Sequence, residues 1–144
     1  MKQHLIVKKL ASLQRCLCRV QTRCPTTQEG LRFDPDAQDI VSLNLMRAFQ
    51  LAVDIGRLIL GKTKAVAPNT PNATFVQLQG FGIINNDLAN RLTAADAFKE
   101  MVLHNCAAIS WETVFCSLPN CVHDFQKFAQ AVDHWLSQQP PNAH

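Results

Sequence analysis

Apolar residues in the first 24 positions recur at alternating steps of four and three, the spacing that places them on one face of an α-helix. Pro25 ends this pattern, because a proline lacks the backbone N–H that a continuing helix needs. Helical periodicity returns in later segments, and no segment shows the strict alternation of a β-strand. The chain is therefore predicted to be all-α. The apolar positions of the first helix are Ile6, Leu10, Leu13, Leu17, Val20 and Cys24.

Capping residues mark the starts of the later helices. Asp34-Pro35 predicts the start of a second helix, because Asp34 can accept backbone N–H groups and Pro35 has the φ of a first helical position. Thr70-Pro71 predicts a short helix in the same way, Asn85-Asn86-Asp87 predicts the start of the next helix, and Ser110 predicts the last one. The last apolar seam keeps its register across Pro119, so one helix is expected there, kinked at the proline. The predicted ranges are about 35–61, 71–79, 86–104 and 111–136.

These segments predict an up-and-down bundle of four long helices and one short helix. The chain has 144 residues, 47% of them hydrophobic, which suits one core and one domain. We expect the domain to span residues 1–136 and the apolar-poor residues 137–144 to form a loose tail. The second helix carries apolar residues on more than one face, so it should be the most buried.

The composition argues against several classes of protein. No window approaches the roughly 20 apolar residues of a membrane span, and Lys8 and Lys9 interrupt the N-terminal apolar run. A cytoplasmic location is expected, in which the six cysteines stay reduced. Cys116, Cys121 and His123 lack the spacing of a zinc motif, so no metal site and no cofactor are expected.

Charge is unevenly distributed along the chain. Residues 1–32 carry seven Lys or Arg against Glu29 alone, whereas the part from residue 96 onward carries five acidic residues against two lysines. Arg15, Arg19 and Arg23 are spaced by four and form one basic stripe on the first helix. This stripe predicts contact with RNA or with an acidic protein partner, and an ordinary solvated face is the alternative.

Four segments of the predicted helices follow one another in a characteristic order: "IVKKLASLQRCLCRV", "DAQDIVSLNLMRAFQLAVDIGRLIL", "FVQLQGFGIINNDLANRL" and "VLHNCAAISWETVFCSLPNCVHDFQKF". In their order and sequence, these segments resemble the HepT family of HEPN-domain proteins. The resemblance implies a helical homodimer that acts on RNA as a ribonuclease toxin. It also implies a minimal nucleotidyltransferase antitoxin as partner, which adenylylates a tyrosine near the toxin's active site.

The family's catalytic motif is an arginine, commonly followed by asparagine, then a histidine and, two residues later, a tyrosine. In the matching run "FKEMVLHNC", Lys99 stands at the arginine, Glu100 at the asparagine, His104 at the histidine and Cys106 at the tyrosine. The resemblance therefore implies His104 and Lys99 as catalytic residues. The chain contains no tyrosine, which excludes adenylylation on tyrosine. Cys106 is interpreted as an inert small hydrophobic residue, and modification or oxidation of its thiol is the alternative.

Helix geometry bears on whether Lys99 and His104 can act together. Five residues turn an ideal helix through roughly 500°, which leaves the two side chains about 140° apart. Either the helix loosens before His104, or a dimer cleft collects the two groups. Glu100 could repel the RNA phosphate or pair with Lys99, and His104 could be an ordinary residue at a helix end.

Two functions follow from this pattern. The first is a HepT-like, metal-independent ribonuclease toxin with activity weakened by the altered motif. The second is a non-catalytic HEPN dimer that binds and regulates a nucleotidyltransferase. The replaced arginine, asparagine and tyrosine favour the second on chemical grounds.

Overall fold

The computed structural model describes residues 2–63 and 66–140, and all of its regular structure within that part is helical. The predicted all-α class is confirmed. Apart from α2, each helix packs on the next helix along the chain, with α1 against α3, α3 against α4, α4 against α5 and α5 against α6. The helices are α1 (Lys2–Arg23), α2 (Gln28–Arg32), α3 (Pro35–Leu60), α4 (Pro71–Gly80), α5 (Asn86–His104) and α6 (Trp111–Ser137), with a 3₁₀ turn at Cys106–Ala108.

The helix starts follow from the capping residues that the sequence predicts. The Asp34 carboxylate accepts the backbone N–H groups of residues 36 and 37 at the start of α3. Thr70, Asn85 and Ser110 accept equivalent N–H groups at the starts of α4, α5 and α6. Each bond satisfies an N–H that has no partner within its own helix, so the local sequence fixes these boundaries.

The core forms around α3, which buries more residues than any other helix of the described chain, as predicted. Phe75 of α4 lies between Phe49 of α3 and Phe128 of α6, with ring centroids 6.0 Å and 6.3 Å away in edge-to-face geometry. Gly56 allows α4 to approach α3, because a Cβ atom there would lie 2.7 Å from Thr74 Cγ2. These contacts hold the three helices together.

The structure corrects the prediction of a single short helix. Residues 28–32 form α2, in which the Thr27 hydroxyl accepts the backbone N–H of Gly30 and Leu31 is fully buried. Five residues are too few to show a helical period, so the sequence pattern could not reveal this element.

The last helix continues through Pro119, as its register predicts, and it reaches Ser137. The start of the predicted tail at residue 137 is therefore the last residue of α6. Residues 141–144 of that tail lie outside the described residues. None of the described helices is long and apolar enough to cross a membrane.

Candidate functional site

His104 is the last residue of α5 and lies on its solvent-exposed side. Its side chain is 72% exposed, and its Nε2 atom lies 3.5 Å from the Oε2 atom of Glu100, one turn earlier. Asn105 and the 3₁₀ turn that begins at Cys106 follow directly. The imidazole is thus accessible to a large substrate, and its one charged neighbour within ion-pair distance in the described chain is a carboxylate.

Lys99 lies on a different side of α5 from His104. Its Nζ atom is 6.0 Å from the centroid of the Phe49 ring, a cation–π distance. Lys99 lines a cavity of about 320 Å³ between α3, α5 and α6. Apolar side chains make up most of the cavity wall, among them Leu45, Phe98, Leu118 and Phe125.

The structure therefore does not bring Lys99 and His104 together within one chain. Helix α5 runs unbroken to His104, so the alternative in which it loosens before that residue is wrong. A catalytic role for Lys99 beside a histidine would require a site assembled from two copies of the chain.

The polar end of the same cavity holds Arg91 and Asp124. Arg91 Nη1 lies 3.6 Å from Asp124 Oδ1, and the Asp124 side chain is only 14% exposed. Burial raises the pKa of the Asp124 carboxyl, with Arg91 acting in the opposite direction. Burial, reinforced by Asp124, raises the pKa of the Cys121 thiol to about 11. The sequence did not predict Arg91 or Asp124 as residues of a site.

The surroundings of Glu100 and Cys106 differ from two that the sequence suggested, an ion pair of Glu100 with Lys99 and a hydrophobic environment for Cys106. Glu100 contacts His104, and within the described ranges no ion pair joins it to Lys99, so the pairing that would consume the lysine is not formed. Cys106 is exposed and carries a free thiol, so burial of a small hydrophobic residue does not explain this cysteine. Both residues are exposed, Glu100 on α5 and Cys106 at the start of the 3₁₀ turn that follows it.

Two of the three arginines in the basic stripe of α1 line a groove, and the third does not. Arg15 and Arg19 line an open groove between α1 and α3 that encloses about 660 Å³, whereas Arg23 lies beyond the groove. Arg47 of α3 enters the groove from the opposite wall. Three arginines thus line the groove. One of them, Arg47, belongs to α3 and could not be predicted from the charge pattern of α1.

Comparison with protein families shows to which family the chain belongs. A family model described as Ribonuclease HepT-like matches residues 13–132, from α1 into α6. The chain belongs to this HepT-like family.

Individual relatives agree with the family match. The mRNA nuclease HepT of Shewanella oneidensis is 24% identical over 130 residues, covering 89% of this chain and 96% of the relative. A MntA–HpeT toxin–antitoxin structure has a TM-score of 0.83 at 22% identity, covering 91% of this chain and 98% of the other. A tri-AMPylated Shewanella oneidensis HEPN toxin in complex with MNT antitoxin also has a TM-score of 0.83 at 22% identity, covering 90% and 96%. The HepT-like chain therefore shares their helical fold.

Arg47 is the arginine of the basic groove that was not predicted from the sequence as a site residue, although it lies in a segment that carries the family resemblance. It follows Asn44 by three positions and precedes Leu51 by four, so the three share one face of α3. All three line the groove, and the Asn44 side chain is buried there. A search for polar residues on the face of α3 that meets α1 would have found Arg47.

Proposed function

We propose that this HepT-like chain is a ribonuclease toxin that cleaves RNA slowly, with His104 as the group that transfers protons. The family match over residues 13–132 carries the proposal. The exposure of His104 at the end of α5 supports it, because the histidine that the family motif needs is accessible to an RNA strand. The curated relative is named an mRNA nuclease, which indicates RNA as the substrate class.

The chemistry that suits a lone histidine is transfer of the phosphate within the RNA strand. The imidazole of His104 removes the proton from a ribose 2′-hydroxyl, whose oxygen then bonds to the adjacent phosphorus. The bond between phosphorus and the 5′-oxygen breaks, and that oxygen takes up the proton that the His104 imidazole had gained. The products are a 2′,3′-cyclic phosphate and a 5′-hydroxyl end.

The position of Lys99 explains why the proposed reaction is slow. The reaction builds up negative charge on the phosphate oxygens, which a nearby cation would stabilise. Lys99 points into the cavity beside Phe49, and Glu100 places a carboxylate beside His104. Loss of one such stabilising group typically costs about 10² to 10³ in rate.

A homodimer is the proposed assembly. Met101 and Leu103 are 38% and 52% exposed on the last turn of α5, on either side of residue 102 and next to His104. A second copy that covers these side chains would remove apolar surface from water and form a cleft at the end of α5. A monomer mass at micromolar concentration would contradict this assembly.

The proposed protein partner is a minimal nucleotidyltransferase antitoxin. Two of the solved relatives are toxin–antitoxin structures, one of them with an MNT antitoxin. Because this chain has no tyrosine, the partner would regulate it by binding, without the modification of a tyrosine. Co-purification with the product of a neighbouring nucleotidyltransferase gene tests the pairing, and its failure would contradict it.

A non-catalytic HEPN dimer is the second candidate. The orientation of Lys99 and the Glu100–His104 contact favour it, because both leave the proposed reaction without a cation at the phosphate. This candidate would retain the dimer and the partner-binding surface but not cleave RNA.

Comparison of the wild-type chain with His104→Ala distinguishes the two candidates. His134→Ala is a matched control, because His134 is also exposed but lies near the end of α6. The ribonuclease proposal predicts that His104→Ala loses RNA cleavage by about 10² or more, while His134→Ala keeps it. Equal background cleavage in all three proteins would overturn the proposal and support the non-catalytic dimer.

A further inference from the structure

The groove between α1 and α3 combines charge from two helices. Arg15 and Arg19 come from adjacent turns of α1, separated by a rise of about 6 Å, and Arg47 comes from α3. All three arginines are exposed. The convergence is a property of the packed helices, because Arg47 is far from the other two in sequence.

The acidic residue of the groove does not cancel this charge. The Asp54 carboxylate lies 3.5 Å from Lys9 Nζ and accepts a hydrogen bond of 2.9 Å from the Gln50 amide. Within the described chain, no ion pair joins Asp54 to Arg15, Arg19 or Arg47. The guanidinium groups are therefore available to an external anion.

Two of the side chains that line the groove, Asn44 and Arg15, are held by hydrogen bonds. Asn44 is 5% exposed and donates a 2.8 Å hydrogen bond to the Ile40 carbonyl. Arg15 Nη2 donates to the Ser12 hydroxyl at 2.9 Å, which orients that side chain along α1. Burial raises the pKa of the Cys16 thiol, while the positive charges of Arg47 and Arg15 act to lower it. Arginines from both walls of the groove therefore lie close enough to act on one thiol.

We propose that the groove between α1 and α3 binds the phosphate backbone of a single-stranded RNA through Arg15, Arg19 and Arg47. Guanidinium groups match the geometry of phosphate oxygens and can contact two of them at once. An open groove admits a strand, and contacts to phosphates require no particular base. The inference rests on the proposed function, since it assigns the surface along which that RNA lies.

Charge-matched substitutions test the groove directly. Arg15→Gln, Arg19→Gln and Arg47→Gln each remove one groove charge, whereas Arg23→Gln and Arg57→Gln remove the same charge from exposed positions of α1 and α3 outside the groove. Binding of a fluorescein-labelled 20-nucleotide oligouridine to the full chain is measured by anisotropy between about 50 and 200 mM salt, where phosphate contacts respond strongly. All variants also carry His104→Ala, so binding is measured without cleavage.

Each groove substitution is expected to weaken binding roughly threefold to tenfold and to reduce the salt slope by about 0.7, the value for one phosphate contact of a single strand. The two control substitutions should change affinity by less than about twofold. Equal weakening in groove and control variants would overturn the proposal, because it would show general attraction only. Absence of oligouridine binding would also overturn the proposal. So would groove substitutions that weaken binding of the nucleotidyltransferase partner but leave oligouridine binding unchanged.

Loss of cleavage and loss of groove binding are separate outcomes in this design. If the wild-type chain fails to cleave RNA but the groove variants still weaken oligouridine binding, the ribonuclease proposal fails and the groove proposal stands. Melting temperatures within about 2 °C of the parent protein are expected for all five arginine variants, because substitutions at exposed positions change stability little.

Discussion

The Nε2 atom of His104 lies 3.5 Å from the Oε2 atom of Glu100, one helical turn earlier on the exposed side of α5. The two side chains are 72% and 58% exposed, so RNA that approaches the histidine also approaches the carboxylate. A phosphate is repelled by that carboxylate over the same few ångströms in which the imidazole must act. Glu100, which stands where the family motif has asparagine, therefore repels the RNA phosphate on which His104 is proposed to act.

Substitution of Glu100 by glutamine should increase RNA cleavage by roughly twofold to fivefold, because two unit charges about 4 Å apart in water interact by about 1 kcal/mol. The measurement is the single-turnover cleavage rate at low salt, where screening is weakest. Glu29→Gln is the matched control, since Glu29 is an exposed glutamate of α2. An unchanged or lower rate in Glu100→Gln would show that the carboxylate does not repel the substrate.

Substitution of Lys99 by methionine should change RNA cleavage by less than about threefold, far below the 10² to 10³ typical of a lost stabilising group. The reason is the position of Nζ over the Phe49 ring in the cavity between α3, α5 and α6. Single-turnover rates of Lys99→Met and Lys127→Met are compared with the wild type. A hundredfold loss confined to Lys99→Met would show that this ammonium group reaches the phosphate in a site assembled from two chains.

Substitution of Gly56 by alanine should destabilise the fold by about 1–3 kcal/mol, the usual cost of overpacking. The added Cβ would lie 2.7 Å from Thr74 Cγ2 and 2.9 Å from Leu78 Cδ1, which would force α4 away from α3. Gly80→Ala is the control, because a Cβ there meets nothing within 4 Å. Urea denaturation measures both variants, and equal stability of the two would contradict the close approach of α3 and α4.

The six cysteines should divide into two groups in their reaction with iodoacetamide at pH 8, with Cys16, Cys24 and Cys121 in the slow group because burial raises the pKa of each thiol. Cys18, Cys106 and Cys116 are exposed and should be labelled first. Cys121 should be labelled last, because a thiol with a pKa of about 11 is ionised in only about one molecule in a thousand at that pH. Peptide mass spectrometry over time gives the order, and early labelling of Cys121 would contradict its burial.

The long helices could be predicted from the sequence because their signals are local. The capping residues Asp34, Thr70, Asn85 and Ser110 accept the N–H groups that the predicted helix starts require. The continuation of α6 through Pro119 also follows from its apolar register. Helix α2 could not be predicted, since its stability comes from the burial of Leu31 against distant parts of the chain.

The candidate site was less predictable, because it depends on which helix faces meet. The sequence indicates that Lys99 and His104 point in different directions, but only the packing of α3 and α6 shows that Lys99 faces a cavity. The spacing of Arg15, Arg19 and Arg23 predicts one stripe, yet the third arginine of the groove is Arg47 from α3. Periodicity along one helix cannot reveal a surface that two helices share.

Slow RNA cleavage by His104 is tested most directly by identifying the RNA ends that the purified chain produces in the presence of EDTA. Mass spectrometry of a defined oligoribonucleotide should find 2′,3′-cyclic phosphate ends from the wild type and from His134→Ala. His104→Ala should produce them at a rate lower by about 10² or more. Equal amounts of these ends from His104→Ala and the wild type would contradict the claim.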